Sequence, residues 1–102
     1  MQSPTFKDWI VNGIAPDGTV DWTFAGIVSG LREAIKSTPT HEGWTRLDQA
    51  TAYLAAHHPE QTPQKYGCRT WPQVLHESRA FDLQYQPAED GKRIGRFRER
   101  IR

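Results

Sequence analysis

Apolar residues recur with helical spacing in the part of the chain that begins near Thr23. The spacing i, i+3, i+4, i+7 and i+11 is one face of an amphipathic helix, and it is occupied by Phe24, Ile27, Val28, Leu31 and Ile35. The pattern ends at Ser37, and Pro39 disfavours helical backbone in the residue before it. The sequence therefore predicts a first helix here, followed by a loop at residues 41–43.

Two more helices are predicted downstream. Residues 44–47 fit one short strand, after which Asp48 is a suitable N-cap for a helix that ends before Pro59 and turns three apolar side chains inward, namely Ala50, Tyr53 and Leu54. Thr70, with Gln73 three residues later, marks the start of the next helix. The apolar positions of that helix are Trp71, Val74 and Leu75.

The last third of the chain predicts a two-stranded ribbon. Residues 81–86 alternate apolar and polar as a half-buried strand does, and PAEDGK then turns the chain into a second run over residues 93–98. The order helix, short strand, helix, helix, strand, strand is typical of a winged helix-turn-helix. We therefore predict an α+β fold over residues 23–102, with three core helices and a small antiparallel sheet.

Residues 1–22 form an extension for which two structures compete. The favoured one is a helix that starts at Ser3-Pro4, carries Phe6, Trp9 and Ile10 on one face and closes at Gly13. The alternative is a hairpin in which WIVNGIA and TVDW flank the turn PDG. In either case Trp9 and Trp22 would pack on the main body, so we expect the extension to be attached to the domain.

Bulk composition limits the class of protein. At 102 residues, 36% of them hydrophobic, the chain fits one domain, and no apolar run approaches the ~20 residues that span a bilayer, so no membrane partner is expected. The start MQSPTFKDW lacks the features of a secretion signal, and a single cysteine, Cys68, permits no internal disulfide. We therefore expect a cytoplasmic protein.

Charge is distributed unevenly along the chain. Residues 1–60 hold four Lys or Arg and seven Asp or Glu, whereas residues 61–102 hold nine and five, although the net charge is only +1. A local excess of positive charge favours a surface that faces a polyanion. The plainer alternative is a solvated face with a basic tail.

The second ribbon strand carries the sharpest pattern. Strand alternation places Arg96, Arg98 and Arg100 on one face, and Gly95, Phe97 and Ile101 on the other. Guanidinium groups suit phosphates because their planar fork donates paired hydrogen bonds. The predicted nucleic-acid surface is completed by Lys92 and Arg93 at the turn and by Lys65, Tyr66 and Arg69 before the third helix. The alternative is an edge strand whose charges only block unwanted pairing.

Two aromatic residues of this region leave alternatives open. Tyr66 and Trp71 lie next to basic residues and could stack on unpaired bases. Packing within the protein is the alternative, and we favour it for both residues, with Trp71 in the core and Tyr66 packed on a helix.

Catalysis and metal binding find little support. Cys68 and His76 are eight apart without a second thiolate, and the adjacent His57 and His58 cannot face the same way on a helix. No orienting third group accompanies Cys68, and no Walker or dinucleotide glycine pattern occurs. We therefore expect no enzyme activity, no metal and no cofactor.

The run from Gly43 to Gln84 resembles the OST-HTH domain, also called the LOTUS domain. The matching features are Gly43-Trp44 before a short strand, Leu47 entering a helix, the Tyr66-Gly67 pair, an apolar helix ending at Leu75, and the strand start Phe81-Asp82-Leu83. The resemblance extends over about residues 25–98. This chain has Thr70-Trp71 where the family usually has a lysine-leucine pair.

The resemblance implies a small winged-helix adaptor without catalytic residues of its own. The implied domain is similar to domains in germ-granule proteins. Bacterial members of the family often accompany a NYN-type nuclease domain. The implied partner is RNA, including G-rich and quadruplex-forming RNA.

Protein docking is the second hypothesis. Some members of the family bind a helicase, and the chain could also bind a nuclease domain or a second copy of itself. The candidate docking residues are large and apolar, and more numerous than so small a domain easily hides: Phe6, Trp9, Trp22 and Phe24.

Overall fold

A computed structural model describes residues 12–87 and 91–100. In chain order the elements are α1 (Gly26–Ser37), β1 (Thr40–His41), β2 (Trp44–Arg46), α2 (Leu47–His57), a 3₁₀ helix (Pro63–Tyr66), α3 (Trp71–Ser78), β3 (Phe81–Pro87) and β4 (Arg93–Glu99). The strands form one antiparallel sheet in the order β1-β2-β4-β3. Three helices packed against a small antiparallel sheet confirm the predicted winged-helix fold.

The core lies between the helices and one face of the sheet. The largest fully buried side chains come from every helix and from β3 and β4: Ile27, Val28, Leu31, Leu54, Val74, Leu75, Phe81 and Phe97. Phe81 and Phe97 meet edge to face with their ring centroids 5.5 Å apart, a geometry that aromatic pairs prefer. The face of the sheet opposite to Phe97 is consequently left for solvent.

The hydroxyl of Tyr66 caps α1 from a distance. The N-cap residue Ala25 has no side chain that can accept a hydrogen bond, so the first-turn amide of Ile27 donates to the Tyr66 hydroxyl at 3.2 Å instead. That hydroxyl in turn donates to the side-chain amide oxygen of Gln61, whose nitrogen donates to Asn12 at 3.1 Å. The 3₁₀ helix and the start of α1 are therefore joined by a buried polar network.

Two predicted helix starts are wrong. α1 begins at Gly26, so Phe24 lies before the helix and is 65% exposed instead of on its apolar face. α2 begins at Leu47 with Arg46 as its N-cap, and Asp48 lies within the first turn, where Arg46 donates to its carboxylate. A carboxylate there still favours the helix, because it faces the positive end of the dipole.

The loop predicted at residues 41–43 is instead part of a hairpin. Thr40 pairs with Thr45 and His41 with Trp44, and both residues of the turn between them, Glu42 and Gly43, have positive φ (54° and 84°). Two positive φ values are the signature of the type I′ turn that suits two-residue hairpins.

The predicted start of α3 is confirmed. The Thr70 hydroxyl accepts from the amide of Gln73 at 3.3 Å, and the Gln73 side chain accepts from the amide of Arg69 at 2.8 Å. Val74 and Leu75 are buried, whereas Trp71 packs against the core but remains half-buried.

In the N-terminal extension the PDG turn forms. Gly18 donates to the carbonyl of Ala15 at 2.9 Å, and Ile14 and Val20 form an isolated antiparallel bridge. Ile14 is buried in the core. The favoured N-terminal helix, with Phe6, Trp9 and Ile10, lies outside the described residues except for its end, where Asn12 is helical and Gly13 has a φ of 75°.

Candidate nucleic-acid interface

The solvent-facing side of the sheet collects arginines from two strands. Phe97 and its partner Thr45 point into the core. Because side chains alternate along a strand, Arg96 and Arg98 of β4 point outward, together with Trp44 and Arg46 of β2. We call this set, completed by Arg100 just beyond β4, the sheet face.

The ring of Trp44 contacts the guanidinium groups of two sheet-face arginines, Arg96 and Arg98. The guanidinium carbon of Arg98 lies 4.3 Å from the centroid of the Trp44 ring, and that of Arg96 lies 5.0 Å from it. Both distances are within the ~6 Å over which a cation is attracted to an aromatic ring. The half-buried indole thus holds two positive charges side by side at the surface.

Asp82 restrains the other end of the sheet face. Its carboxylate accepts from Arg100 at 3.0 Å and from Arg98 at 3.5 Å, and the hydrogen bonds from Arg100 and then Arg98 lower the pKa of Asp82 below its usual value. Arg96, by contrast, donates twice to the neutral side chain of Gln84, at 2.8 and 2.6 Å. The sheet face therefore keeps a positive excess, with Arg96 held only by a neutral group among the hydrogen bonds of the described chain.

Arg46 continues the positive surface around the edge of the sheet. It lies opposite Arg96 in the register and donates to Asp48 at 3.1 and 2.6 Å. These hydrogen bonds lower the pKa of Asp48 and raise that of Arg46. Arg46 is exposed and also lines the groove described next.

A groove of about 690 Å³ separates the β3–β4 hairpin, or wing, from the starts of α2 and α3. Its lining includes Leu47, Trp71, Tyr85, Gly95, Lys92 and Arg93. Lys92 and Arg93, predicted to extend the basic patch, thus lie at the groove and at the turn end of the wing. Tyr85 is 47% exposed, which is unusual for a large aromatic side chain of this domain.

Three of the predicted site residues lie elsewhere. Tyr66 is 4% exposed and its hydroxyl is used in the α1 cap, so the prediction that its ring stacks on a base is wrong, and the packing alternative is what the structure has. Lys65 and Arg69 lie at the 3₁₀ helix and before α3. Neither residue belongs to the four-stranded sheet.

The two docking candidates among the described residues differ in exposure. Trp22 is half-buried and stacks on Tyr66 with a centroid distance of 5.8 Å, while Phe24 is largely exposed. Phe6 and Trp9 lie outside the described residues.

Candidate metal sites and membrane-spanning helices are absent from the described part of the chain. It contains no group of three or more His, Cys, Asp or Glu side chains that could hold a metal ion. None of its helices is long and apolar enough to cross a membrane.

Sequence reasoning missed Trp44, Arg46 and Tyr85. Trp44 and Arg46 flank Thr45 in a three-residue strand, and this alternation alone could have placed them on one face. Their proximity to Arg96 and Arg98 depends on the pairing of β2 with β4. That pairing joins segments about 50 positions apart and leaves no local pattern.

These features define a winged-helix domain with a basic, aromatic-supported sheet face. The chain belongs to the OST-HTH/LOTUS family, because the model of that domain matches residues 25–92, about two thirds of its length. Domains of this family bind RNA or act as protein-interaction modules. No curated protein and no solved structure gives a significant match to the chain.

Proposed function

We propose that this chain is a non-enzymatic RNA-binding domain, and that RNA lies along the sheet face. The observation that carries the proposal is the placement of two guanidinium groups, those of Arg96 and Arg98, over one indole ring. The family supplies the choice of RNA as the polyanion.

The chemistry of the sheet face suits RNA in two ways. Guanidinium groups pair with phosphate oxygens through their planar fork and stay charged at any physiological pH. A guanidinium plane that already lies against Trp44 can also stack on an unpaired base, a contact common in RNA recognition. Because the indole orders Arg96 and Arg98 before RNA arrives, less side-chain entropy is lost on binding.

A preference for G-rich or quadruplex RNA is the finer part of the proposal. It rests on the resemblance to the family and not on a contact in this structure. The outer tetrad of a quadruplex is a broad planar surface, and stacked guanidinium groups offer a flat cationic counterpart to it. Mixed-sequence RNA of equal length is the appropriate comparison.

The direct test is a titration of G-rich and mixed-sequence RNA at two salt concentrations with the natural chain and with Arg96→Ala/Arg98→Ala. We expect the affinity of the natural chain to fall steeply with salt, and the double variant to lose about one unit of salt slope for each arginine that contacts a phosphate. The matched control is Lys36→Ala on α1, compared with the single variant Arg96→Ala, because it removes one positive charge from an exposed position outside the sheet face. Absence of binding at low salt, or equal binding by the double variant, would refute the proposal.

A protein-docking function is the alternative, and the exposure of Phe24 favours it. Phe24 is an apolar side chain, 65% exposed, beside the half-buried Trp22. A helicase, a nuclease domain of the NYN type or a second copy of the chain would then cover this corner. Docking predicts weak salt dependence and sensitivity to Phe24→Ser, whereas RNA binding on the sheet face predicts that Phe24→Ser binds RNA normally.

A further inference from the structure

We propose that the groove beside the wing holds one unpaired nucleotide of the RNA that lies on the sheet face, with the base against Tyr85. This inference rests on the proposed RNA binding and adds a site of its own to it. It makes unpaired nucleotides, and not paired helix, the substrate that the domain selects.

Gly95 of β4 lies at an inward position and lines the groove. Gly95 is two residues from the buried Phe97 and pairs with Tyr85 across the ribbon. A Cβ at Gly95 would lie 3.4 Å from the Tyr85 ring and 3.7 Å from Leu47, which is ordinary contact distance. The methyl groups of a valine at this position would therefore lie against Tyr85 and Leu47 and narrow the groove beside the tyrosine ring.

The walls of the groove are suited to a flat base. Tyr85 stands on the wing side, and the half-buried Trp71 at the start of α3 lines the opposite side with Leu47. Aromatic side chains bind bases by stacking, without demanding a particular base. A volume of about 690 Å³ lies within the 300–1,000 Å³ range that is usual for ligand sites.

The charges around the groove suit the phosphate of the same nucleotide. Among the described residues that line it, three are cationic, namely Arg46, Lys92 and Arg93, and one is a carboxylate, Asp48, which already accepts from Arg46. Arg46 belongs both to this groove and to the sheet face. An RNA strand on the sheet face can therefore continue into the groove without leaving positive surface.

The occupant must be unpaired for a steric reason. Bases within a duplex are stacked and paired, so that only their edges are accessible in the grooves, and none can enter a site between a wing and two helix starts. A nucleotide in a single-stranded end or loop has its base faces free. The geometry therefore selects a nucleotide from a single-stranded end or loop of the RNA.

The test compares three RNAs that share one two-stranded duplex without a loop: a blunt form, a form with a short single-stranded overhang, and a form whose overhang has abasic nucleotides. The abasic form has the same phosphates as the second and lacks only the bases. For the natural chain we expect the overhang with bases to bind roughly 5- to 100-fold more tightly than the abasic one, the effect of stacking one base on an aromatic side chain.

The variant Gly95→Val narrows the groove beside the Tyr85 ring, and valine suits a strand. We expect it to bind the base-bearing and abasic overhangs equally and to retain the natural chain's affinity for the blunt duplex. Tyr85→Phe keeps the ring and should retain the preference. Circular dichroism and thermal unfolding verify that Gly95→Val is folded.

A 5-iodouridine in the overhang provides a second measurement, because its photocrosslink should map to Tyr85 or Trp71 in the natural chain and be lost in Gly95→Val. The outcomes separate the two proposals. If the natural chain binds none of the RNAs, the proposed function fails. If it binds the base-bearing and abasic overhangs with equal affinity, or if Gly95→Val keeps the preference for bases, RNA binding stands and the nucleotide site is refuted.

Discussion

The carboxylate of Asp82 offers a gain-of-function test of the sheet face. It accepts from both Arg98 and Arg100, so these three side chains together contribute a charge of +1 to the surface. Asp82→Asn keeps the shape and a hydrogen-bond acceptor, and it raises that contribution to +2. We therefore expect Asp82→Asn to bind RNA more tightly than the natural chain.

The size of the gain follows from counterion release. Each additional phosphate neutralised on single-stranded RNA steepens the plot of log affinity against log salt by about 0.7. If the two lines meet near 1 M salt, the gain is about eightfold at 50 mM and about threefold at 200 mM. The change is thus largest where electrostatics are least screened.

Fluorescence anisotropy with a labelled single-stranded RNA at four or more salt concentrations measures both quantities. The control Glu60→Gln makes the same change in net charge in the loop that follows α2, and it should leave the slope unchanged. A reduced or unchanged affinity of folded Asp82→Asn at low salt would contradict the placement of RNA on the sheet face. A gain of equal size in Glu60→Gln would show that only net charge matters.

Three other predictions follow from single contacts. Trp44→Ala should weaken RNA binding by about 1–3 kcal/mol in the same anisotropy assay, because Arg96 and Arg98 would then be ordered only on binding, at about 0.5–1.5 kcal/mol for each side chain. Tyr66→Phe should lower the free energy of unfolding by about 1–2 kcal/mol in urea, because the amide of Ile27 loses the hydroxyl that caps it. The thiol of Cys68, whose pKa is raised first by burial and then by Glu77, should react with a disulfide reagent much more slowly in the folded chain than in urea at pH 8. Each argument would be contradicted by one result. These results are an unchanged RNA affinity of Trp44→Ala, an unchanged stability of Tyr66→Phe, and a thiol that reacts as fast in the folded chain as in the unfolded chain.

Local patterns in the sequence were sufficient for most of the fold. The periodic apolar positions Ile27, Leu31 and Leu54 are buried as predicted. An amphipathic helix buries one face, and the spacing of its apolar residues identifies that face. The Thr70 cap and the ribbon strands are equally local. Strand β1 was not predicted because the turn that follows it contains Glu42 with a φ of 54°. Positive φ is uncommon for residues other than glycine, asparagine and aspartate.

The site was less predictable because it is made by contacts between distant segments. The alternation of Arg96, Arg98 and Arg100 was visible, but their neighbours Trp44 and Asp82 are fixed by the sheet order. Tyr66 is a residue whose burial could not be read from its neighbours in the sequence. Its position next to Lys65 suggested a surface role, whereas a hydrogen bond to a residue 39 positions away commits it to the core.

The pairing of β3 with β4 also gives the sheet face a direction. From one end to the other, the outward residues of β3 are Asp82, Gln84 and Gln86, and they lie opposite Arg98, Arg96 and Ile94. The single carboxylate is therefore at the end farther from the groove, while the amides are nearer to it. Along β3 and β4, Arg96 therefore has no competing carboxylate opposite it, whereas Arg98 has Asp82, so an RNA strand anchored by a base in the groove would engage Arg96 before it displaces Asp82 from Arg98. Asp82→Asn should accordingly raise affinity for long single strands more than for a dinucleotide, which reaches only the groove end of the sheet face.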